Sequence, residues 1–235
     1  MPSRRPHEPE FKVEELTPIR QAIGERTQTS FRDIPQFWIQ VLADVEALVA
    51  ARNRRKEQGG VVPTYNDYFI KAVASIISDY PAMNAWCEDN QIKLLKPINI
   101  GFACATDDGV LLPTVFDADK KSLDEIAENS RELIELARCG RLRASLQMGA
   151  GFTISNIGPT VVDAFNAIIS PPQTAILAIG AMKKRPMMVD DEIVARISAY
   201  LTLTVDHRVL DATQAVPFLH DLIGLLADSD WLAQL

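Results

Sequence analysis

One stretch, Ile197 to Ala212 (ISAYLTLTVDHRVLDA), limits what this chain can fold into more than any other. Ile197, Ala199, Leu201, Leu203 and Val205 fall on one face and Ser198, Tyr200, Thr202 and Thr204 on the other, the period-2 alternation of a half-buried strand. The strand delivers Asp206, His207 and Arg208 to its C-terminal end. Asp211 then reads as an N-cap with Gln214 at the N3 position of a capping box, and Ala215, Val216, Leu219, Leu222, Ile223 and Leu226 follow at helical spacing. A histidine therefore sits where a strand turns into a helix.

Only three histidines occur. His7 lies in a polar tail and His220 inside the last helix, where a partly exposed ring needs no special role. His207 has the chemically suggestive setting, since an imidazole suits proton transfer near neutral pH and a carboxylate one helical turn on can orient it. The residues alone leave two readings open: a base ordered by Asp211, or a strand-end histidine beside an aspartate that only caps a helix.

The rest of the chain alternates strands and helices. Thr17-Pro18 starts a helix expected to end near Thr29, with Ile19, Ala22 and Ile23 inward. Residues 36–43 are apolar on both faces, predicting a strand inside a sheet, followed by a helix over 44–58 that Gly59-Gly60 stops. A helix over 66–79 closes at Tyr80-Pro81. Strands follow at 92–95, 98–105 and 110–116, the last two joined as a hairpin at Asp107-Asp108-Gly109. Ser122 and Glu125 box a helix to about Arg138. From Gly151 come a strand, a short helix within 159–169, Pro171-Pro172, a second apolar strand, and a hairpin near Asp190-Asp191 that feeds the His207 strand. This pattern predicts an α/β two-layer sandwich, a mixed sheet with helices on one side. Residues 1–10 read as a polar tail and 11–235 as a single domain.

With 235 residues, 47% of them hydrophobic, the chain can bury one sizeable core. A net charge of −7 argues against a nucleic-acid partner, which needs clustered Lys and Arg. Cys87, Cys104 and Cys139 are too few and too irregularly spaced for a zinc site or disulfide framework, so no metal and a reducing, cytoplasmic location are expected. No apolar run of membrane-spanning length occurs, so no membrane partner is expected.

Four collinear segments, TPIRQAIGER (17–26), DADKKSL (117–123), GFTISNIG with SPPQTAILAIGA (151–181) and DHRVLDA (206–212), resemble the catalytic domain of the dihydrolipoyl acyltransferases of 2-oxo acid dehydrogenase complexes and, more distantly, chloramphenicol acetyltransferase. The resemblance implies a chloramphenicol acetyltransferase-like fold, a homotrimer with active sites in channels between subunits, and coenzyme A entering from one end and the acyl acceptor from the other. It implies His207 as general base and Ser155, 52 residues upstream, as donor to the tetrahedral oxyanion. Without it Ser155 reads as an ordinary strand hydroxyl. It further implies a salt bridge from Asp211 to Arg26 or Arg20.

The sequence also departs from that family. Ala212 replaces the glycine of its terminal motif, Pro217 falls within the expected helix, and 159–163 lacks the usual glycine. No lipoyl domain, partner-binding domain or Ala/Pro-rich linker is seen. These departures point to a free-standing enzyme, an acetyl-CoA-dependent acyltransferase whose acceptor is a hydroxyl on a small molecule such as a tetronate-type polyketide intermediate. The alternatives are a dihydrolipoyl acyltransferase core and an inactive trimeric scaffold. The terminal Trp231, Leu232 and Leu235 either anchor trimers into a shell or fold back on their own domain; an isolated trimer is expected.

Overall fold

The computed structural model describes residues 11–189 and 191–235; the stretch 1–10 read as a polar tail, with His7, and Asp190, where a turn was expected, lie outside the described residues. Thr17 caps α1 (Pro18–Asp33), which continues past Thr29. Of its residues only Ser30 is buried. Ile19, Ala22 and Ile23 therefore do not face a core; they wall a cavity instead.

β1 (Gln36–Asp44) is an edge strand, not an internal one. Phe37, Ile39 and Val41 pack on the core, whereas Trp38 on the opposite face stays 50% exposed, so its two-faced apolar pattern reflects a surface left open in one chain. Asp44 remains in that strand and α2 (Glu46–Gln58) starts after it, ending at Gly59, whose φ of +78° suits a residue without Cβ. α3 (Tyr65–Ile76) begins at a Thr64–Asp67 capping box and tightens into a 3₁₀ turn before Pro81.

A strand absent from the sequence reading follows. β2 (Ala85–Glu88) pairs with β3 (Gln91–Leu94) across Asp89-Asn90, both at positive φ, the backbone of a type I′ turn. The two long strands expected next each split. β4 (Ile100–Phe102) and β7 (Thr114–Val115) pair in the main sheet, while β5 (Cys104–Thr106) and β6 (Gly109–Leu111) form the hairpin at Asp107-Asp108. At the break, Ala103 N–H turns to Ile154 O (2.8 Å), and Pro113 has no N–H to offer the ladder. α4 (Leu123–Arg138) lies between its Ser122–Glu125 box and Cys139 as expected.

β8 (Phe152–Asn156) and β9 (Ala175–Ile179) flank residues 157–170, which form neither helix nor strand. The short helix expected there is absent, and side chains from distant elements hold the segment. β10 (Lys183–Val189) and β11 (Glu192–Asp206) form the last hairpin. α5 (Ala212–Ala227) starts at the Asp211–Gln214 box with Pro217 inside it, so the proline removes one helical N–H without moving the start.

The main sheet runs β1-β11-β9-β8-β4-β7, with β10 also on β11. β4, β8 and β9 are parallel to each other and the remaining pairs antiparallel, the mixed sheet predicted. Leu48, Phe69, Ile70, Phe218 and Leu222 from the helices bury one face against Ile154, Leu177, Leu201 and Leu203. On the opposite face a smaller cluster, Ile34, Ala167, Ile169, Ile176 and Ala178 with Phe165, tucks the irregular segment against β8 and β9. Trp231 and Leu232 of α6 (Ser229–Gln234) and the terminal Leu235 pack back on the main core.

Candidate active site

The turn after β11 is the more heavily bonded half of the site. Asp206 is fully buried, and its carboxylate accepts from Arg208 Nε (2.9 and 3.1 Å), Arg208 Nη2 (2.6 Å) and the Arg208 backbone N–H (3.0 Å). Its carbonyl accepts from Val209 and Leu210 N–H, both at 2.9 Å. Between these, His207 donates its backbone N–H to Pro35 O (2.9 Å) and lays its ring edge-on to Phe37, centroids 5.1 Å apart. The imidazole is thus exposed at a turn whose backbone is fixed on both sides.

Asp211 Oδ1 accepts from Thr213 N–H (2.7 Å) and Thr213 Oγ1 (2.5 Å), and Gln214 Oε1 accepts from Asp211 N–H (3.1 Å). The Thr213 donors, with a smaller contribution from the positive charge of His207, hold the Asp211 carboxyl below the usual carboxylate range. The cap reading of Asp211 therefore holds. Ala212 is the first helical residue and has no positive φ, so the Cβ that replaces glycine meets no strain. Gly158, at φ +69°, supplies a left-handed position next to the stretch that lacked a glycine.

Ser155 lies elsewhere, in a cavity of about 490 Å³. Ile19, Ala22, Ile23, Arg26 and Thr27 of α1 form one wall, Val110 and Leu111 with Leu112 a second, and Phe165 with residues 167–170 a third. The lining is mostly apolar, with Ser155, Ser170, Thr27, Gln147 and Arg26 as the polar groups around it. Ser170 Oγ is buried without a hydrogen-bond partner.

Within one chain these two halves do not meet. Ser155 is the register partner of Ala178, and Ala178 that of Thr202. His207 follows Thr202 by five residues, which at about 3.3 Å per residue is roughly 16 Å along the strand, with a further ~10 Å across two strand spacings.

Arg26 Nη2 donates to Pro171 O (3.2 Å), and Arg20 sits beside Gly109. Among the described residues neither arginine forms an ion pair with Asp211 of the same chain. His220 is exposed next to Asp221, Nδ1 to Oδ1 3.3 Å, away from both halves. Among the described residues no cluster of three His, Cys, Asp or Glu is grouped for a metal ion, and no helix is long and apolar enough to cross a membrane. Sequence reasoning gave no role to the Asp206–Arg208 pair, although an acid on the buried Thr204 face of the strand was its signal. It also missed Phe165, which no local pattern marks.

A mixed sheet flanked by helices, with a histidine at the turn from strand to helix, defines the class by its fold, which is chloramphenicol acetyltransferase-like. Chloramphenicol acetyltransferase itself superposes with a TM-score of 0.56 at 15% identity, over 91% of this chain and 100% of that one, a likeness of fold alone. More specifically, the chain belongs to the family of 2-oxoacid dehydrogenases acyltransferase (catalytic domain), whose model matches residues 8–233. It is 33% identical over 205 residues to the dihydrolipoyllysine-residue acetyltransferase component of the pyruvate dehydrogenase complex of Rickettsia prowazekii, covering 86% of this chain and 50% of that protein. It is 34% identical over 220 residues to the lipoamide acyltransferase component of the branched-chain alpha-keto acid dehydrogenase complex of Bacillus subtilis, covering 92% and 52%. The dihydrolipoamide acetyltransferase of Azotobacter vinelandii superposes with a TM-score of 0.88 at 31% identity, over 99% of both chains. The chain spans about half the length of the curated relatives it matches.

These relatives overturn the expected small-molecule hydroxyl acceptor, both as function and as partner, because they are components of dehydrogenase complexes named for a lipoyl group. The departures that had suggested otherwise do not disturb the site. Ala212 is ordinary helix, and Pro217 lies inside α5 beyond the cap.

Proposed function

We propose that this chain is the acyl-transferring core of a 2-oxo acid dehydrogenase complex, moving a short acyl group between coenzyme A and a dihydrolipoyl group. One observation carries the reading. The Azotobacter vinelandii structure was determined to examine a serine, a histidine and an asparagine in that enzyme's catalytic mechanism, and their spacings of 52 and 4 residues equal those of Ser155, His207 and Asp211. Here Asp211 stands where that enzyme has the asparagine.

A thiol of pKa about 8.5 is mostly protonated at neutral pH, so a base at the attacking sulfur is needed. The His207 imidazole takes the proton of the coenzyme A thiol as its sulfur attacks the acyl-dihydrolipoyl carbonyl. The resulting oxyanion accepts a hydrogen bond from Ser155 Oγ, and collapse breaks the bond to the dihydrolipoyl sulfur, which recovers the proton from the imidazolium. Reversal gives transfer from acyl-CoA.

Because Ser155 and His207 of one chain are far apart, the complete site combines Ser155 of one copy with His207 of another. A closed homotrimer of about 78 kDa, three chains of 26.0 kDa, meets this requirement. Exposed Trp38 on the edge strand and Phe31 and Ile168 beside the cavity support association of copies. The test is incubation with acetyl-CoA and dihydrolipoamide: release of free CoA, dependent on the dithiol, is expected, and release with simple alcohols but not with the dithiol would reject the reading.

A further inference from the structure

The wall that faces Ser155 is built unlike the rest of the cavity. Ser155 and Ala178 are register partners on adjacent parallel strands, so their side chains stand on the same face of the sheet. Ala178 belongs to the small cluster against which Phe165 packs, and Phe165 also lines the cavity. Phe165 is the one aromatic ring among the described lining residues. It stands on the irregular segment, which is pinned at two points. At one, Asp163 Oδ1 accepts from Lys183 Nζ (2.8 Å) and Arg185 Nη2 (2.6 Å), Arg185 itself lying over the Tyr200 ring, and Ala181 N–H reaches Val162 O (3.1 Å). At the other, Ser30 Oγ donates to Ile169 O (2.6 Å) and Ile169 N–H to Gln36 Oε1 (3.3 Å). Phe165 is thus suspended between fixed supports, not set by its own secondary structure.

We infer that Phe165 is a specificity-determining residue that limits the length of the acyl chain. The inference rests on the acyltransferase reading with Ser155 as oxyanion donor. If the carbonyl oxygen meets Ser155 Oγ, the acyl chain leaves a carbon one bond away, in an apolar space that Phe165 bounds on the sheet face shared with Ser155. Lengthening that chain presses on a ring whose segment is tied at both ends. One methylene in a fitted apolar pocket changes kcat/KM by roughly 10–200-fold, so one ring is enough to separate acetyl from a six-carbon chain.

The experiment compares acetyl-CoA with hexanoyl-CoA, dihydrolipoamide as acceptor, for the wild type, Phe165→Ala and Phe165→Leu. The reading is the ratio of the two kcat/KM values within each protein, which does not depend on the fraction folded. The wild type is expected to favour acetyl, Phe165→Ala to raise the hexanoyl-to-acetyl ratio at least about tenfold, and Phe165→Leu to fall between them. Should the alanine variant fail to fold, the leucine variant carries the test with a rise of at least about threefold. Unchanged ratios in active variants would overturn this inference alone. A wild type that turns over neither thioester would remove the acyltransferase reading and this inference together.

Discussion

The two halves of the site are held in different ways. The side-chain bonds around His207 are local: Asp206 grips Arg208, and Asp211 and Gln214 box the next helix, while the carbonyls of the distant Pro35 and Thr174 fix the backbone of His207 and Asp206. Ser155 faces a cavity whose walls come from α1, the β5–β6 region and an irregular segment, joined by contacts such as Ser30 to Ile169 that cross more than a hundred residues. On the proposed reading, the side chains around the base are set mainly by local bonds, and the space for the acyl group is assembled from afar. A base loses function when displaced by an ångström, whereas a cavity wall can be changed to alter what enters.

Breaking each half tests this contrast. The largest effect belongs to His207→Ala, expected to lower kcat by about 10²–10⁴-fold with little loss of stability, because the ring is exposed and its one aromatic contact is edge-on to the half-buried Phe37. Near-normal turnover in that variant would remove the proton-transfer role. Ser155→Ala comes next, with kcat down about 10²–10³-fold and KM nearly unchanged, since an oxyanion donor acts mainly in the transition state. A change confined to KM would make Ser155 a substrate contact. Arg208→Ala should cost about 2–3 kcal/mol in denaturant unfolding by leaving the buried Asp206 unpaired. That is below the roughly 3–5 kcal/mol for a fully buried pair because the Arg208 side chain is 41% exposed. A loss under about 0.5 kcal/mol would mean that the turn is held by its backbone bonds alone.

The same division explains what could be read from the sequence. The β11 alternation, the Asp211–Gln214 box and the Ser122–Glu125 box are local signals, and the structure has each of them. The Asp89-Asn90 turn was equally local, but the short Ala85–Glu88 strand before it carries no clear alternation, so the hairpin went unread. The edge position of β1 and the course of residues 157–170 were not legible, because each depends on partners distant in the chain: β11 for one, Ser30, Lys183 and Arg185 for the other. The family resemblance pointed to Ser155 and His207, but nothing in their spacing says that one chain separates them.

The central claim is that one active site takes Ser155 and His207 from different copies. Co-expressing His207→Ala and Ser155→Ala chains in equal amounts and assaying the purified mixed assemblies with acetyl-CoA and dihydrolipoamide tests it directly. In randomly mixed closed trimers about a quarter of the sites would join an intact serine to an intact histidine. The predicted result is activity near a quarter of the wild type from two variants that are each nearly inactive; mixed assemblies no more active than either parent would contradict the account.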